Sequence, residues 1–196
     1  MSKPSALQYG QYYHIYNRGN NRENIFIEER NYPYFLELYA RYIEPIADTY
    51  AYCLLRNHFH FLVQVKTVEE QETPRVSKSS QQFGNLFNAY AKAINKTHDR
   101  TGSLFQNPFG RAKVASDAHL LWLVVYIHLN PQRHGFVNDF RAWTYSSYQA
   151  LVSAKPTRLR RDDVLSWFDG LDGFKLSHQQ DVPEYRVASL VLEDFV

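Results

Sequence analysis

Two histidines separated by one residue are the first feature of this sequence whose residue types could do chemistry. They begin the segment HFHFLVQV at residues 58–65. Its alternation predicts a β-strand, with Phe59 on one face and His58 and His60 on the other. Strand residues two apart are separated by ~6–7 Å at their Cα atoms, so both imidazoles could bind one metal ion. Because such pairs also arise by chance, two half-exposed histidines without a function are the alternative interpretation.

The common metal and nucleotide motifs that would explain this pair differently are missing from the sequence. It contains no HExxH, no CxxC, no Walker loop and no GxGxxG, and Leu62 interrupts an HxHxH pattern. Cys53 is the only cysteine, which excludes an internal disulfide and a cysteine-based zinc cluster. A metal held by two histidines still needs a third ligand and an open position for substrate. These observations weaken the interpretation of the protein as a hydrolase of a known zinc or nucleotide-binding type.

A tyrosine is a further candidate for chemistry at such a site. A phenol, with a pKa of about 10, is a weak nucleophile at pH 7 unless a metal polarises the phosphate that it attacks. A tyrosine and a metal ligand share one helix face when they are three or four residues apart. Tyr34 with Glu37 and Tyr126 with Asn130 both have this spacing on predicted helices. Tyr126 lies in the apolar run LLWLVVYI, where a core aromatic is the alternative interpretation, and spacing alone leaves both pairs open.

The elements that must position these residues follow from the hydrophobic periodicity. The predicted order is a strand at 12–16, a helix at about 28–47, two strands within 50–65, a helix at about 83–96, and an extended segment at 103–114. A further helix follows the N-cap residue Ser116 and is expected to end at Pro131.

This order predicts an α+β protein with a ferredoxin-like (split βαβ) antiparallel sheet. Both crossover helices would cover the face that carries Phe59. His58 and His60 would then lie on the open face, where the helix containing Tyr126 could lie along the sheet.

The charge is distributed unevenly along the 196 residues. Residues 1–161 contain 20 Lys and Arg against 12 Asp and Glu, whereas residues 162–196 contain 2 and 8. A basic body is typical of a nucleic-acid-binding protein, although an ordinary mixed surface also accounts for an excess of this size. No apolar run approaches the ~20 residues of a membrane span, and the N-terminal MSKPSALQYG does not suggest a signal peptide. We therefore expect a cytoplasmic protein without a membrane partner.

Four segments carry a resemblance to a known family. They are YHIYNRGNNRENIF (13–26), NHFHFLVQV (57–65), TGSLFQNPF (101–109) and YIHLNPQRHGFV (126–137). In this order and spacing, they resemble the single-tyrosine HUH (His–hydrophobe–His) transposases, and within them the REP-associated tyrosine transposases. The sequence differs from the residues common in this family at two places. Leu55-Arg56 stands where Met-Pro is frequent, and Gln132 stands where an aliphatic residue is usual.

The resemblance implies a nuclease domain at 1–150 and a C-terminal extension at 151–196, basic then acidic, that could be regulatory. It implies that Tyr126 is the nucleophile, and that His58, His60 and Asn130 bind Mg²⁺ or Mn²⁺. The expected activity is cleavage and joining of single-stranded DNA through a 5′-phosphotyrosine, on hairpin-forming repeats. A nucleoid-associated monomer is favoured over a homodimer.

Several polar and basic residues are candidates for contacts with DNA phosphates or bases: Asn17, Arg18, Arg22, Arg56, Arg111, Lys113 and Arg133. For each of them, an ordinary solvated residue is the alternative interpretation. Tyr13 and Tyr16 are candidates for stacking on unpaired bases. Two other functions remain open, a non-catalytic DNA- or RNA-binding regulator on the same fold and a metal-dependent phosphodiesterase that uses water. We also expect the acidic segment 162–196 to limit DNA access.

Overall fold

The computed structural model describes residues 6–71 and 79–188. Four strands form one antiparallel sheet with the order β2-β3-β1-β4: β1 (Tyr12–Arg18), β2 (Ala47–Leu54), β3 (His58–Val65) and β4 (Gly110–Lys113). The described α-helices are α1 (Asn31–Tyr42), α2 (Ser79–Thr97), α3 (Asp117–Arg133), α4 (Tyr148–Val152), α5 (Arg161–Trp167) and α6 (Leu171–Ser177). Short 3-10 turns lie at Asn20–Arg22, Phe140–Ala142 and Glu184–Arg186. The predicted ferredoxin-like arrangement is confirmed.

One face of the sheet packs against α1 and α2. The alternating apolar residues of β3 supply this face, because successive strand residues point to opposite sides. The ring centroid of Phe35 on α1 lies 5.2 Å from that of Phe59, and Phe87 on α2 lies 5.5 Å from the same ring. These side chains belong to one buried apolar cluster. The expected position of both crossover helices on one face is therefore confirmed.

The opposite face is covered by α3 and the C-terminal helices. Leu62 of β3 shares a second buried cluster with Leu123 and Ile127 of α3, and Phe174 of α6 belongs to that cluster too. Most of the buried residues of α3 are apolar, as expected of a helix enclosed by the rest of the fold. His58 and His60 are therefore buried in the interior, on the face of the sheet that α3 covers.

Two helix ends differ from the sequence-based expectation. The first helix ends at Tyr42 rather than near residue 47, because Pro45 disfavours helix in the residues before it. The prediction that α3 ends at Pro131 is wrong, since the helix continues to Arg133. A proline in the last turn removes only its own N–H, and the His134 N–H closes that turn by donating to the Asn130 carbonyl at 2.9 Å. Arg133 and His134, at this end of the helix, lie near Tyr126 and His58 respectively.

The extended segment predicted at 103–114 is a strand only at its end, where Gly110–Lys113 pairs with β1. None of the helices within 6–71 and 79–188 is long and apolar enough to cross a membrane.

Candidate active site

His58 and His60 lie side by side on β3, with ring centroids 5.1 Å apart. Their exposed fractions are 1% and 0%, so the half-exposed alternative does not hold. Burial lowers the pKa of His58 to about 3, with contributions from His134 and Arg18. Burial also lowers the pKa of His60 well below its ordinary value. Both imidazoles are therefore neutral at pH 7, which is the form that binds metal ions.

Tyr126 and Asn130 lie on α3 above this face of the sheet. The Tyr126 ring centroid is 5.8 Å from that of His60, nearly perpendicular to it. Asn130 is fully buried one helical turn later, and its Nδ2 donates to the Tyr126 carbonyl at 2.8 Å. Among the described residues, the Asn130 Oδ1 atom has no hydrogen-bond partner. A buried carbonyl oxygen in that state is costly, and it is the type of donor that a hard cation accepts.

The other candidate pair, Tyr34 with Glu37, lies on α1. This helix packs on the opposite face of the sheet, through Phe35 against Phe59. The sheet therefore separates Tyr34 from His58 and His60, and of the two pairs only Tyr126 with Asn130 is on the histidine face.

The donors at this site fit a divalent cation of the hard type. Within residues 6–71 and 79–188, no three His, Cys, Asp or Glu side chains are grouped to hold a metal ion. The Asn130 amide oxygen, which has no hydrogen-bond partner among the described residues, could serve as a third donor beside His58 and His60. Two imidazoles and one amide oxygen, with the remaining positions taken by water or phosphate, suit Mg²⁺ or Mn²⁺.

Two of the predicted DNA-contacting arginines, Arg18 and Arg133, border this site. Arg18 is the direct strand partner of His58 and is 8% exposed. Arg56, exposed in the turn immediately before β3, instead lines a pocket with Tyr32 of α1 and Tyr145. The Arg133 guanidinium carbon lies 5.3 Å from the Tyr126 ring centroid. Arg133 thus places positive charge beside the Tyr126 ring, and Arg18 places it beside His58.

The remaining candidates for DNA contact lie elsewhere. Asn17 is buried opposite Phe59, and its Oδ1 accepts from the Arg18 N–H. Arg22 is exposed in the turn after β1. Arg111 packs 3.9 Å above the Phe109 ring and donates to Ser80 Oγ, and burial lowers its pKa. Lys113, exposed at the end of β4, donates to Gln8 Oε1.

Tyr13 and Tyr16 do not offer open ring faces. Their exposed fractions are 2% and 3%, since Tyr13 packs in the α1 and α2 core and Tyr16 packs beneath α3. The expectation that they stack on unpaired bases is wrong.

Two histidines at the site were missed by the sequence reasoning. His14 Nε2 lies 2.9 Å from His60 Nδ1, and the His134 ring centroid lies 4.9 Å from that of His58. The alternation of Tyr13, His14 and Ile15 places His14 on the face of β1 opposite to its two neighbours. Pairing β1 with β3 would then have placed His14 on the same face as His60. His134 was missed because α3 was expected to end before it.

The chain is similar to two known proteins that share a family name. A protein of Haemophilus influenzae that carries the name of a REP-associated tyrosine transposase is 28% identical over 110 residues, covering 55% of this chain. The match covers 62% of that relative, less than two thirds of its length. A solved structure of a REP-associated tyrosine transposase bound to a REP hairpin matches with a TM-score of 0.59 at 15% identity, covering 80% of this chain and 88% of that one.

No family model matches the chain. The sequence relative and the solved structure carry the same family name, and the solved structure has the same fold as this chain. The expected resemblance to the single-tyrosine HUH transposases, and in particular to the REP-associated tyrosine transposases, is thereby confirmed.

Proposed function

We propose that this protein is a metal-dependent endonuclease and strand transferase for single-stranded DNA that acts at hairpin-forming repeats. The observation that carries the proposal is the position of Tyr126 above His60, one helical turn before the buried amide of Asn130. The hairpin as substrate is proposed by analogy with the structural neighbour, whose ligand is a REP hairpin.

His58, His60 and Asn130 would hold the cation. When bound, a divalent cation would supply positive charge that offsets the charge developing on the scissile phosphate. The two neutral imidazoles and the amide oxygen leave the net charge of the ion intact, so its attraction for phosphate is not cancelled by carboxylate ligands.

Tyr126 would act as the nucleophile. Its Oη forms a bond to phosphorus while the bond between phosphorus and the 3′ oxygen breaks. The products are a 5′-phosphotyrosine and a strand that ends in a 3′-OH, and the phenolic proton leaves to solvent or to the departing oxygen. The DNA phosphodiester is exchanged for a phosphodiester to tyrosine, so the bond energy is retained. A DNA 3′-OH can therefore reverse the reaction and join strands without a nucleotide cofactor.

The surrounding arginines would position the DNA. Arg18 lies opposite His58 at the end of the sheet where β3 begins, and Arg56 is exposed in the preceding turn. Their charges are suited to the phosphates that flank the scissile one. Arg22, Arg111 and Lys113 are more distant candidates for contacts along the hairpin. We further propose that the protein acts as a cytoplasmic, nucleoid-associated monomer.

A covalent-trapping experiment tests this function. The protein is incubated with a hairpin oligonucleotide carrying a single-stranded flank and Mn²⁺, and is then analysed by denaturing electrophoresis. A protein–DNA band is expected for the unaltered protein and for the matched control Tyr34→Phe, whose tyrosine lies on the far side of the sheet. Tyr126→Phe should lose this band while still binding the hairpin.

The same experiment distinguishes the other two functions. Adduct formation by Tyr126→Phe would mean that another residue is the nucleophile. Cleavage without an adduct would indicate a phosphodiesterase that uses water. Hairpin binding without cleavage or adduct would indicate a DNA-binding regulator.

A further inference from the structure

Two buried histidines from neighbouring strands are in direct contact at the site. His14 on β1 and His60 on β3 are both 0% exposed, and His14 Nε2 lies 2.9 Å from His60 Nδ1. Their rings are inclined by only 15°. The contact is diagonal, because β1 pairs with β3 so that Tyr16 is directly opposite His60. His14 therefore meets the His60 ring at its Nδ1 atom, which leaves the Nε2 atom for another contact.

One proton lies between these two nitrogens, and it can belong to either ring. If His14 donates, His60 carries its own proton on Nε2, and that nitrogen cannot bind a metal ion. If His60 donates from Nδ1, its Nε2 carries the lone pair that a cation needs.

We infer that His14 is a positioning residue for His60, accepting its Nδ1–H and thereby holding it in the tautomer whose Nε2 presents a lone pair to the metal. The inference rests on the proposed function, because it assigns a role toward the proposed cation. His14 does not contact the cation in this arrangement.

The other two proposed ligands are oriented in the same way. His58 Nδ1 lies 2.7 Å from Asn57 Oδ1, and an amide oxygen can only accept, so His58 must carry its proton on Nδ1. The Asn130 Nδ2 donates to the Tyr126 carbonyl, which directs Oδ1 away from the helix backbone. His58 and Asn130 therefore both use their donor atom in a hydrogen bond within the protein. His60 follows this pattern only if His14 is the acceptor.

Nitrogen NMR of the histidine rings tests the tautomer directly. The protein labelled with ¹⁵N-histidine is examined without metal by long-range ¹H–¹⁵N correlation, with the His60 signals assigned by their loss in His60→Ala. We expect a protonated Nδ1 and an unprotonated Nε2 for His60, and the same for His58. A protonated Nε2 on His60 would overturn the inference.

Mn²⁺ binding measured by titration calorimetry tests the consequence. His14→Phe keeps a ring of similar size but no acceptor, and should bind Mn²⁺ about 10- to 100-fold more weakly. His14→Gln offers an amide oxygen and should recover most of the affinity, which a purely space-filling role would not require. His119→Phe, on the first turn of α3, is the matched control for loss of one imidazole and should bind normally.

Equal Mn²⁺ affinity in His14→Phe and the unaltered protein would overturn the inference. Failure of the unaltered protein to bind Mn²⁺ would instead refute the proposed metal site. The ring-nitrogen spectrum, which is recorded without metal, decides the role of His14 in either case.

Discussion

The guanidinium of Arg133 lies over the ring of Tyr126, with its carbon 5.3 Å from the ring centroid. Arg133 also donates hydrogen bonds to the Asp181 carboxylate and to the Val182 carbonyl, both in the segment after α6. The C-terminal segment therefore contacts the proposed nucleophile through one arginine. A cation against an aromatic face favours the electron-rich phenolate over the neutral phenol. Arg133 can thus contribute to the activation of Tyr126 as well as to phosphate binding.

Replacing Arg133 should therefore slow the covalent step. Arg133→Ala removes a cation–π interaction of about 0.5–2 kcal/mol, so adduct formation should be roughly 2- to 30-fold slower with saturating DNA. Single-turnover kinetics with Mn²⁺ measures the rate, and fluorescence anisotropy measures DNA affinity separately. Arg141→Ala, which removes an exposed arginine paired with Asp139, is the control. An unchanged rate at saturating DNA would leave Arg133 with a role in binding only.

Asp181 should weaken DNA binding by neutralising Arg133. Asp181→Asn removes one negative charge from the site region, so hairpin affinity should rise several-fold at low salt and the gain should shrink as salt screens it. The plot of log affinity against log salt should also become steeper, by about the amount expected for one additional phosphate contact. Asp172→Asn, an exposed carboxylate on α6, is the control for net charge. Equal gains in both variants would assign the effect to overall charge rather than to Arg133.

The acidic C-terminal segment is also part of the folded core, because α5 and α6 contribute buried side chains to the cluster that includes α3. Phe174 of α6 is fully buried and contacts Phe168, Tyr148 and His178. Phe174→Ala should reduce the free energy of unfolding by about 3–5 kcal/mol. Leu176→Ala on the same helix, at a residue that is 58% exposed, should change it by less than about 0.5 kcal/mol. Urea denaturation measures both, and similar small effects would show that α6 adds little to stability.

The protein should lose stability in mild acid, because protonation of the buried His178 is unfavourable in the folded state. Its Nδ1 donates to the Phe174 carbonyl at 2.7 Å, and its Nε2 lies 2.8 Å from His128 Nδ1, which must then be the donor. Protonation of His178 would break the second hydrogen bond. Burial lowers the pKa of His178 to about 4, so the unfolded chain binds this proton more readily than the folded one.

The sign of the effect follows from proton linkage. The stability that depends on neutral His178 is fully present above pH 6.5. It falls by up to about 1.4 kcal/mol per pH unit as the pH drops from about 6.5 to about 4. His178→Gln should therefore lose less stability than the unaltered protein between pH 7 and pH 5 in urea denaturation. His119→Gln, at a half-exposed histidine, should follow the unaltered protein, and parallel curves for all three would contradict the prediction.

Gly110 on β4 should be intolerant of a side chain, because the Tyr16 ring crosses directly over it. A Cβ at Gly110 would lie 2.1 Å from the nearest ring carbon of Tyr16. Gly110→Ala should displace a ring that is 3% exposed and directly opposite His60, and should cost about 1–3 kcal/mol of stability. Gly84→Ala on α2, where a Cβ meets nothing within 4 Å, should be neutral or stabilising. Thermal denaturation compares the two, and equal midpoints would show that the strand accommodates the methyl group.

Much of the fold could be predicted from local patterns. The period of two in residues 58–65 assigns the faces of β3, and the structure places Phe59 and His58 on opposite sides as expected. The end of α3 could not be predicted in the same way. The tendency of Pro131 to end a helix is a local preference of about 3 kcal/mol in a helix interior, smaller in the last turn, and burial of this helix against the sheet outweighs it.

The sequence by itself determined which residues could serve as ligands and nucleophile, because a strand or helix repeat assigns each side chain to a face. Only the tertiary structure decided which candidates meet, since Tyr34 and Tyr126 have equivalent local spacing and differ only in the side of the sheet on which their helix packs. It also decided the contacts of His14 with His60 and of Asp181 with Arg133, which join residues 46 and 48 positions apart. Such contacts depend on strand register and helix docking, and no local pattern of residues encodes either one.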